Sequence, residues 1–227
     1  YNCEESRNIY MEMSMSEIII KNVSKRYNKQ LVLDNINMEL TSGHIYGFAG
    51  INGSGKTVLM KCICGLTMPT SGSIYVDGKQ IGKDIDFPES IGALIETPGF
   101  IEYYNAMDNM RSLASIKKIT TEEQIIALLE KVGLNPNEKK KVKKYSLGMR
   151  QKLGIAMAIL DDPNIIILDE PFNALDKKSV SNVKDIILGL KADNKLVILS
   201  SHDGVLLEEV TDKIYEIEEG KIVGGKN

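Results

Sequence analysis

Eight consecutive residues, Gly50-Ile51-Asn52-Gly53-Ser54-Gly55-Lys56-Thr57, place three glycines just ahead of a lysine and a hydroxyl. Glycines let the backbone curl until successive N–H groups face one anionic ligand. The stretch that follows, Lys56 to Gly65, reads as a helix stopped by Gly65 and later Pro69. Its N-terminal end adds positive potential at the same point. In such a phosphate-binding loop Asn52, Gly53, Ser54 and Gly55 form the cradle. Lys56 reaches the β- and γ-phosphates of a nucleoside triphosphate, and Thr57 offers its hydroxyl to Mg²⁺.

A second constellation closes the apolar run Ile165-Ile166-Ile167-Leu168 with two carboxylates, Asp169 and Glu170. In an open parallel sheet, ligands bind beyond the C-terminal ends of the strands. Asp169 is placed there to hold Mg²⁺ through water, and Glu170 to polarise an attacking water. A strand ending in Asp says little alone. Behind a phosphate-binding loop it points to nucleoside triphosphate hydrolysis.

The elements that must position these groups follow from the pattern. Ile18 to Val23 and the alternating Leu31 to Leu40 read as strands, with a turn at Asn28-Lys29-Gln30. His44 to Ala49 is a short buried strand entering the loop, with His44 read as structural. Ser73 to Val76 and Lys79 to Ile81 flank a hairpin turn at Asp77-Gly78, and Ile91 to Ile95 is a further strand. From about Asn105 to Leu160 the pattern is helical. Its clearest amphipathic helix opens at Thr121-Glu122-Glu123 and stops at Gly133. Ile165–Leu168, Val180–Leu190, Leu196–Ser200, Val205–Val210 and Ile214–Ile217 then alternate as strand and helix, which predicts parallel strands joined by crossover helices. An all-helical insert inside an α/β core is thus expected, at about residues 97–160. Residues 1–14 are polar and Met-rich without periodicity. They are expected to be an unstructured leader or added upstream sequence, with Met11, Met13 and Met15 as candidate starts and the folded domain spanning 15–227.

Composition narrows the class. A chain of 227 residues with 43% hydrophobic and 26% charged residues suits one substantial globular core. The net charge of −3 gives no reason to expect nucleic-acid binding. No apolar run approaches the roughly 20 residues that cross a bilayer, so any membrane-spanning partner must be another polypeptide. Of the three cysteines, Cys62 and Cys64 read as small hydrophobes in the helix after the loop rather than as half a metal site. The run Lys139-Lys140-Lys141-Val142-Lys143-Lys144 reads as a solvated loop, with an RNA or anionic-lipid site as the alternative.

From about Met15 to Asn227 the chain resembles an ATP-binding-cassette (ABC) nucleotide-binding domain, with its motifs in the family's order. Tyr145-Ser146-Leu147-Gly148-Met149-Arg150-Gln151 resembles the signature, where Ser146 and Gly148 match the Ser and second Gly of Leu-Ser-Gly-Gly-Gln. Tyr27 matches the aromatic that stacks on adenine. Asn173-Ala174-Leu175-Asp176 resembles the D-loop, and His202 resembles the switch histidine that contacts the γ-phosphate. The resemblance implies a P-loop NTPase (RecA-like) core of mostly parallel sheet, an N-terminal antiparallel β subdomain and an all-helical insert. It implies a catalytic set of Glu170, His202 and Lys56. Nucleotide contacts come from Tyr27, the phosphate loop, Ser146, Gly148 and Asp176, and metal contacts from Thr57, Glu96 and Asp169.

Two departures from the family pattern are informative. The signature is changed at its first, third and fifth positions, and Glu96 stands where the family usually has Gln. Together with Leu94-Ile95-Glu96-Thr97-Pro98-Gly99-Phe100, these features look like the ATPase subunits of lantibiotic-immunity and bacitracin-resistance exporters. The expected protein is therefore an ATP- and Mg²⁺-dependent subunit that forms an ATP-dependent homodimer, or a heterodimer with a related subunit. It would sit in the cytoplasm, peripheral to the membrane through permease subunits on separate chains. The alternatives are export of another substrate, such as a lipid, polysaccharide or drug, and a soluble ABC ATPase acting in cofactor assembly or on nucleic acid or the ribosome.

Overall fold

Alternating apolar residues in the N-terminal region build an antiparallel sheet with one face buried. The structure, a computed structural model, describes residues 15–97, 99–117 and 120–226. Strands β1 (Glu17–Tyr27), β2 (Gln30–Thr41), β4 (Ser71–Val76) and β5 (Lys79–Gln80) lie in the order β2-β1-β4-β5. Ile18, Ile20, Leu33, Met38, Ile74 and Val76 point into a common core. β1 runs on to Tyr27, past the expected end at Val23. Its outer half pairs through register shifts, with Asn22 in the left-handed region, so the alternation that marks a strand is broken there.

The second sheet is six-stranded, in the order β10-β9-β3-β8-β7-β6. It comprises β3 (Ile45–Ala49), β6 (Ile91–Leu94), β7 (Ile165–Leu168), β8 (Leu196–Ser201), β9 (Lys213–Glu218) and β10 (Lys221–Lys226). All neighbours are parallel except β9 and β10. Strands β7 and β8 are buried at every residue, as expected for a parallel sheet covered on both faces. Along β7, Ile165 and Ile167 pack toward the antiparallel sheet, while Ile166 and Leu168 pack toward the helices beyond the other face. The expected strict alternation of strand and helix fails at the end of the chain. β9 turns back at Glu219-Gly220, both with positive φ, to form a hairpin with β10. Two glycines and exposed Val223 hide β10 from any apolar pattern.

Between β6 and β7 lie α2 (Ala106–Lys117), α3 (Glu122–Lys131) and α4 (Leu147–Ala158). Thr121 and Gln124 form a reciprocal capping box at the start of α3, the helix read most clearly from its amphipathic spacing. The remaining helices are α1 (Lys56–Ile63), α5 (Lys177–Ala192) and α6 (Gly204–Glu208). Helix α5 exceeds its expected span at both ends, starting where Asp176 caps it, and α6 is shorter than expected. Cys62 and Cys64 are buried in the core, which pushes their thiols up to about 11 and about 12. Among the described residues, no helix is long and apolar enough to cross a membrane. The expectation for residues 1–14 lies outside the described residues.

Candidate active site

The loop between β3 and α1 has a backbone that only glycine tolerates at two points. Gly50 (φ 152°) and Gly55 (φ 111°) are left-handed, and a Cβ on Gly50 would lie 2.3 Å from the Ile217 carbonyl oxygen. Gly55 is also the N-cap of α1 and offers no side chain to cap it. The first N–H groups of α1 are therefore left without a side-chain partner, as an anion-binding helix start requires. Lys56 is buried, and its ammonium donates to the carbonyl oxygens of Gly50 (2.6 Å) and Ile51 (3.1 Å) across the curl. Burial lowers its pKa, opposed by the nearby carboxylates of Glu170 and Asp169.

Those carboxylates meet the loop at the C-terminal edge of the sheet. Thr57 Oγ1 donates to Asp169 Oδ2 at 2.8 Å. The other Asp169 oxygen accepts from Ser200 Oγ at 2.5 Å, and the same hydroxyl accepts from the Glu170 N–H at 2.9 Å. Glu170 has φ 50°, uncommon for a residue with a side chain, and strain of this kind concentrates at functional sites. Its Oε2 lies 3.0 Å from His202 Nδ1. Its Oε1 is buried without a hydrogen-bond partner among the described residues, and so is Ser54 Oγ. A cavity of about 200 Å³ opens between them, lined by Val32, Asn52 to Val58, Asp169 and Glu170. The donor set is two carboxylates, a threonine hydroxyl and a buried lysine. It suits a polyanion held with a divalent cation.

The other expected residues do not line this cavity. Tyr27 is exposed at the end of β1, with the Lys25 ammonium 4.8 Å from its ring centre. Exposed Ser146 caps α4, its hydroxyl accepting from Met149 N–H at 3.2 Å. Gly148 in the first turn of α4 faces Ala174. Asp176 caps α5, and the Ser179 hydrogen bonds hold its carboxyl below the usual carboxylate range. Glu96, just beyond β6, is left-handed (φ 55°) and paired with Lys61 Nζ at 2.7 Å. In the lysine run Val142 is buried while Lys139, Lys140, Lys141, Lys143 and Lys144 are exposed, the arrangement of a solvated loop leading into α4.

Three residues here escaped the sequence reading. Ser200 joins the Asp169 carboxylate to the Glu170 backbone N–H, and its only signal was its place at the end of a buried strand beside Ile165–Leu168. Gln151 Nε2 donates to the Glu170 carbonyl at 3.0 Å, which ties α4 to the Asp169-Glu170 corner. Lys61 pairs with Glu96 across 35 residues of sequence, a contact no local pattern reveals.

Comparison with known proteins agrees with this geometry. The family model for ABC transporters matches residues 33–173. The chain is 42% identical over 205 residues to an uncharacterised ABC transporter ATP-binding protein, YybJ, of Bacillus subtilis, covering 90% of this chain and 94% of YybJ. It is 38% identical to the lantibiotic transport ATP-binding protein SrtF of Streptococcus pyogenes, covering 90% and 88%. It is 39% identical to the bacitracin transport ATP-binding protein BcrA of Bacillus licheniformis, covering 92% and 69%. Its fold is that of the ATP-binding cassette MJ0796, solved as a post-hydrolysis dimer bound to ADP and Pi (TM-score 0.84, 23% identity, 92% and 98% coverage). The chain belongs to the ABC transporter family, as one of its ATP-binding subunits, and is an ATPase.

Proposed function

We propose that this subunit hydrolyses MgATP to drive export of a lantibiotic or a related antimicrobial peptide through membrane-spanning subunits on separate chains. The observation that carries the reading is the junction of Thr57, Asp169, Ser200 and Glu170 at the mouth of the phosphate loop. Thr57 and Asp169 present adjacent oxygens for Mg²⁺, which when bound offsets charge on the β- and γ-phosphates. Lys56 contributes a buried cation to the same phosphates, in place of the loop carbonyls it now contacts. Glu170 orients the attacking water with its unpartnered Oε1 and takes up its proton, while Ser200 and Gln151 hold its backbone. His202, hydrogen-bonded to Glu170, would contact the γ-phosphate. Tyr27 offers adenine an exposed aromatic ring.

Ser146 and Gly148 are absent from the walls of the phosphate cavity. This favours a head-to-tail dimer in which each signature completes the site of the partner, and Asp176 lies near that junction. Closure on ATP and opening after hydrolysis would then move the membrane subunits, placing the chain on the cytoplasmic face of the membrane. The peptide substrate is inferred from the names of SrtF and BcrA together with Glu96 and the altered signature. The test is made in the host cell, by replacing the chromosomal copy with Glu170→Gln. Sensitivity to a lantibiotic or to bacitracin should rise, and the tagged chain should co-purify with polytopic membrane proteins. Unchanged tolerance of both antibiotics would overturn the substrate. Absence of any membrane partner would overturn the transporter role.

A further inference from the structure

Lys61 lies one helical turn beyond Thr57 on α1, so the two side chains share a face. Across from it, the parallel register that pairs Leu94 with Leu168 carries the chain on to Glu96 beside the Asp169-Glu170 corner, and the Asp169 N–H donates to the Leu94 carbonyl at 2.7 Å. Glu96 thus follows the strand next to the carboxylate corner that the proposed reading gives to Mg²⁺, yet its carboxylate is held by Lys61 at 2.7 Å. Its left-handed backbone fixes where the side chain leaves the strand. A glutamine amide here could accept a hydrogen bond from Lys61 but could form no ion pair, so the ionic character of the contact depends on the acid that distinguishes this position.

We propose that Lys61 is a positioning residue that holds Glu96 away from the metal site until MgATP binds. This rests on the reading of Glu96 as a metal-facing residue. The Lys61 and Glu96 side chains are 28% and 62% exposed, and ion pairs this open to solvent are weak and screened by salt. Glu96 can therefore leave a single positive charge for a divalent one at small cost. The Lys61–Glu96 contact and metal binding compete for one carboxylate, and removing Lys61 releases Glu96 to the metal. A purely helix-capping role for Lys61, a cation in the last turn of α1, makes no such link to Glu96.

The test titrates Mn²⁺, followed by its electron paramagnetic resonance signal, into the full chain saturated with a non-hydrolysable ATP analogue. Lys61→Met should bind Mn²⁺ about two- to fivefold more tightly than wild type, the factor expected from losing one exposed ion pair. Lys61→Arg should match wild type. In a Glu96→Gln background, Lys61→Met should have no effect, because there is no carboxylate to release. An unchanged Mn²⁺ affinity in Lys61→Met, alongside an altered one in Glu96→Gln, overturns the restraint and leaves the metal reading of Glu96 standing. No change in either variant overturns both. A Lys61→Met effect that persists in the Glu96→Gln background shows only a general loss of positive charge and also overturns the proposal.

Discussion

Gly148 stands directly against Ala174: a Cβ on Gly148 would lie 2.7 Å from the Ala174 carbonyl oxygen. The start of the signature helix is thus pressed onto the segment that follows Glu170, and Ala174 is itself left-handed (φ 60°). This glycine has an intrachain reason to exist besides any contact with nucleotide. Gly148→Ala must push α4 and residues 173–176 apart. It should lower unfolding free energy by about 1–3 kcal/mol, the usual cost of overpacking, as read from urea denaturation of the isolated subunit. Wild-type stability would mean that this contact is loose in solution.

Ser200 is buried, and its one hydroxyl serves the Asp169 carboxylate and the Glu170 backbone N–H. Ser200→Ala leaves the Glu170 N–H and one Asp169 oxygen without that partner. The cost should be about 1–3 kcal/mol of stability, the penalty for a buried polar group left unpaired, together with slower ATP turnover. Denaturation and steady-state ATPase assays check the two effects separately. If Ser200→Ala loses neither, the junction does not depend on this residue.

Tyr27 is exposed, so truncating it disturbs little packing. If adenine stacks on its ring, Tyr27→Ala should weaken ATP binding by roughly 1–3 kcal/mol while leaving the melting temperature nearly unchanged. Calorimetric titration with MgATP reads this directly. Wild-type affinity would reduce Tyr27 to a strand-end residue shielding Lys25.

The composite site makes its own prediction. Ser146→Arg and Lys56→Ala homodimers should each be nearly inactive. Mixing them forms heterodimers with one intact composite site and one doubly damaged site, and ATPase activity should reappear on mixing. Full activity of Ser146→Arg alone would contradict a role for the signature across the dimer.

The sequence carried some parts of this molecule more plainly than others. The phosphate loop was legible because its glycines, lysine and threonine are contiguous and chemically constrained. The strand Ile165–Leu168 was legible because burial on both faces demands an unbroken apolar run. Helix α3 was legible through the amphipathic spacing that opens at Thr121-Glu122-Glu123, and the fold adds a capping box at its start. By contrast, Ser200, Gln151 and Lys61 act through contacts between distant segments, and nothing local marks a serine as the link between the Asp169 carboxylate and the Glu170 backbone. β10 stayed hidden because an exposed edge strand with two glycines has neither burial nor alternation to report. Glu96 was read by resemblance as a metal contact, and its partner Lys61 emerged only from the fold.

The most direct test of the account is the behaviour of Glu170→Gln with MgATP. This change keeps the shape of the side chain and removes its basicity beside His202. The variant should bind MgATP with near wild-type affinity, hydrolyse it at least about a hundredfold more slowly, in line with loss of a general base, and accumulate as an ATP-bound dimer in light scattering. Turnover near the wild-type rate, with no dimer formed, would contradict the account at its centre.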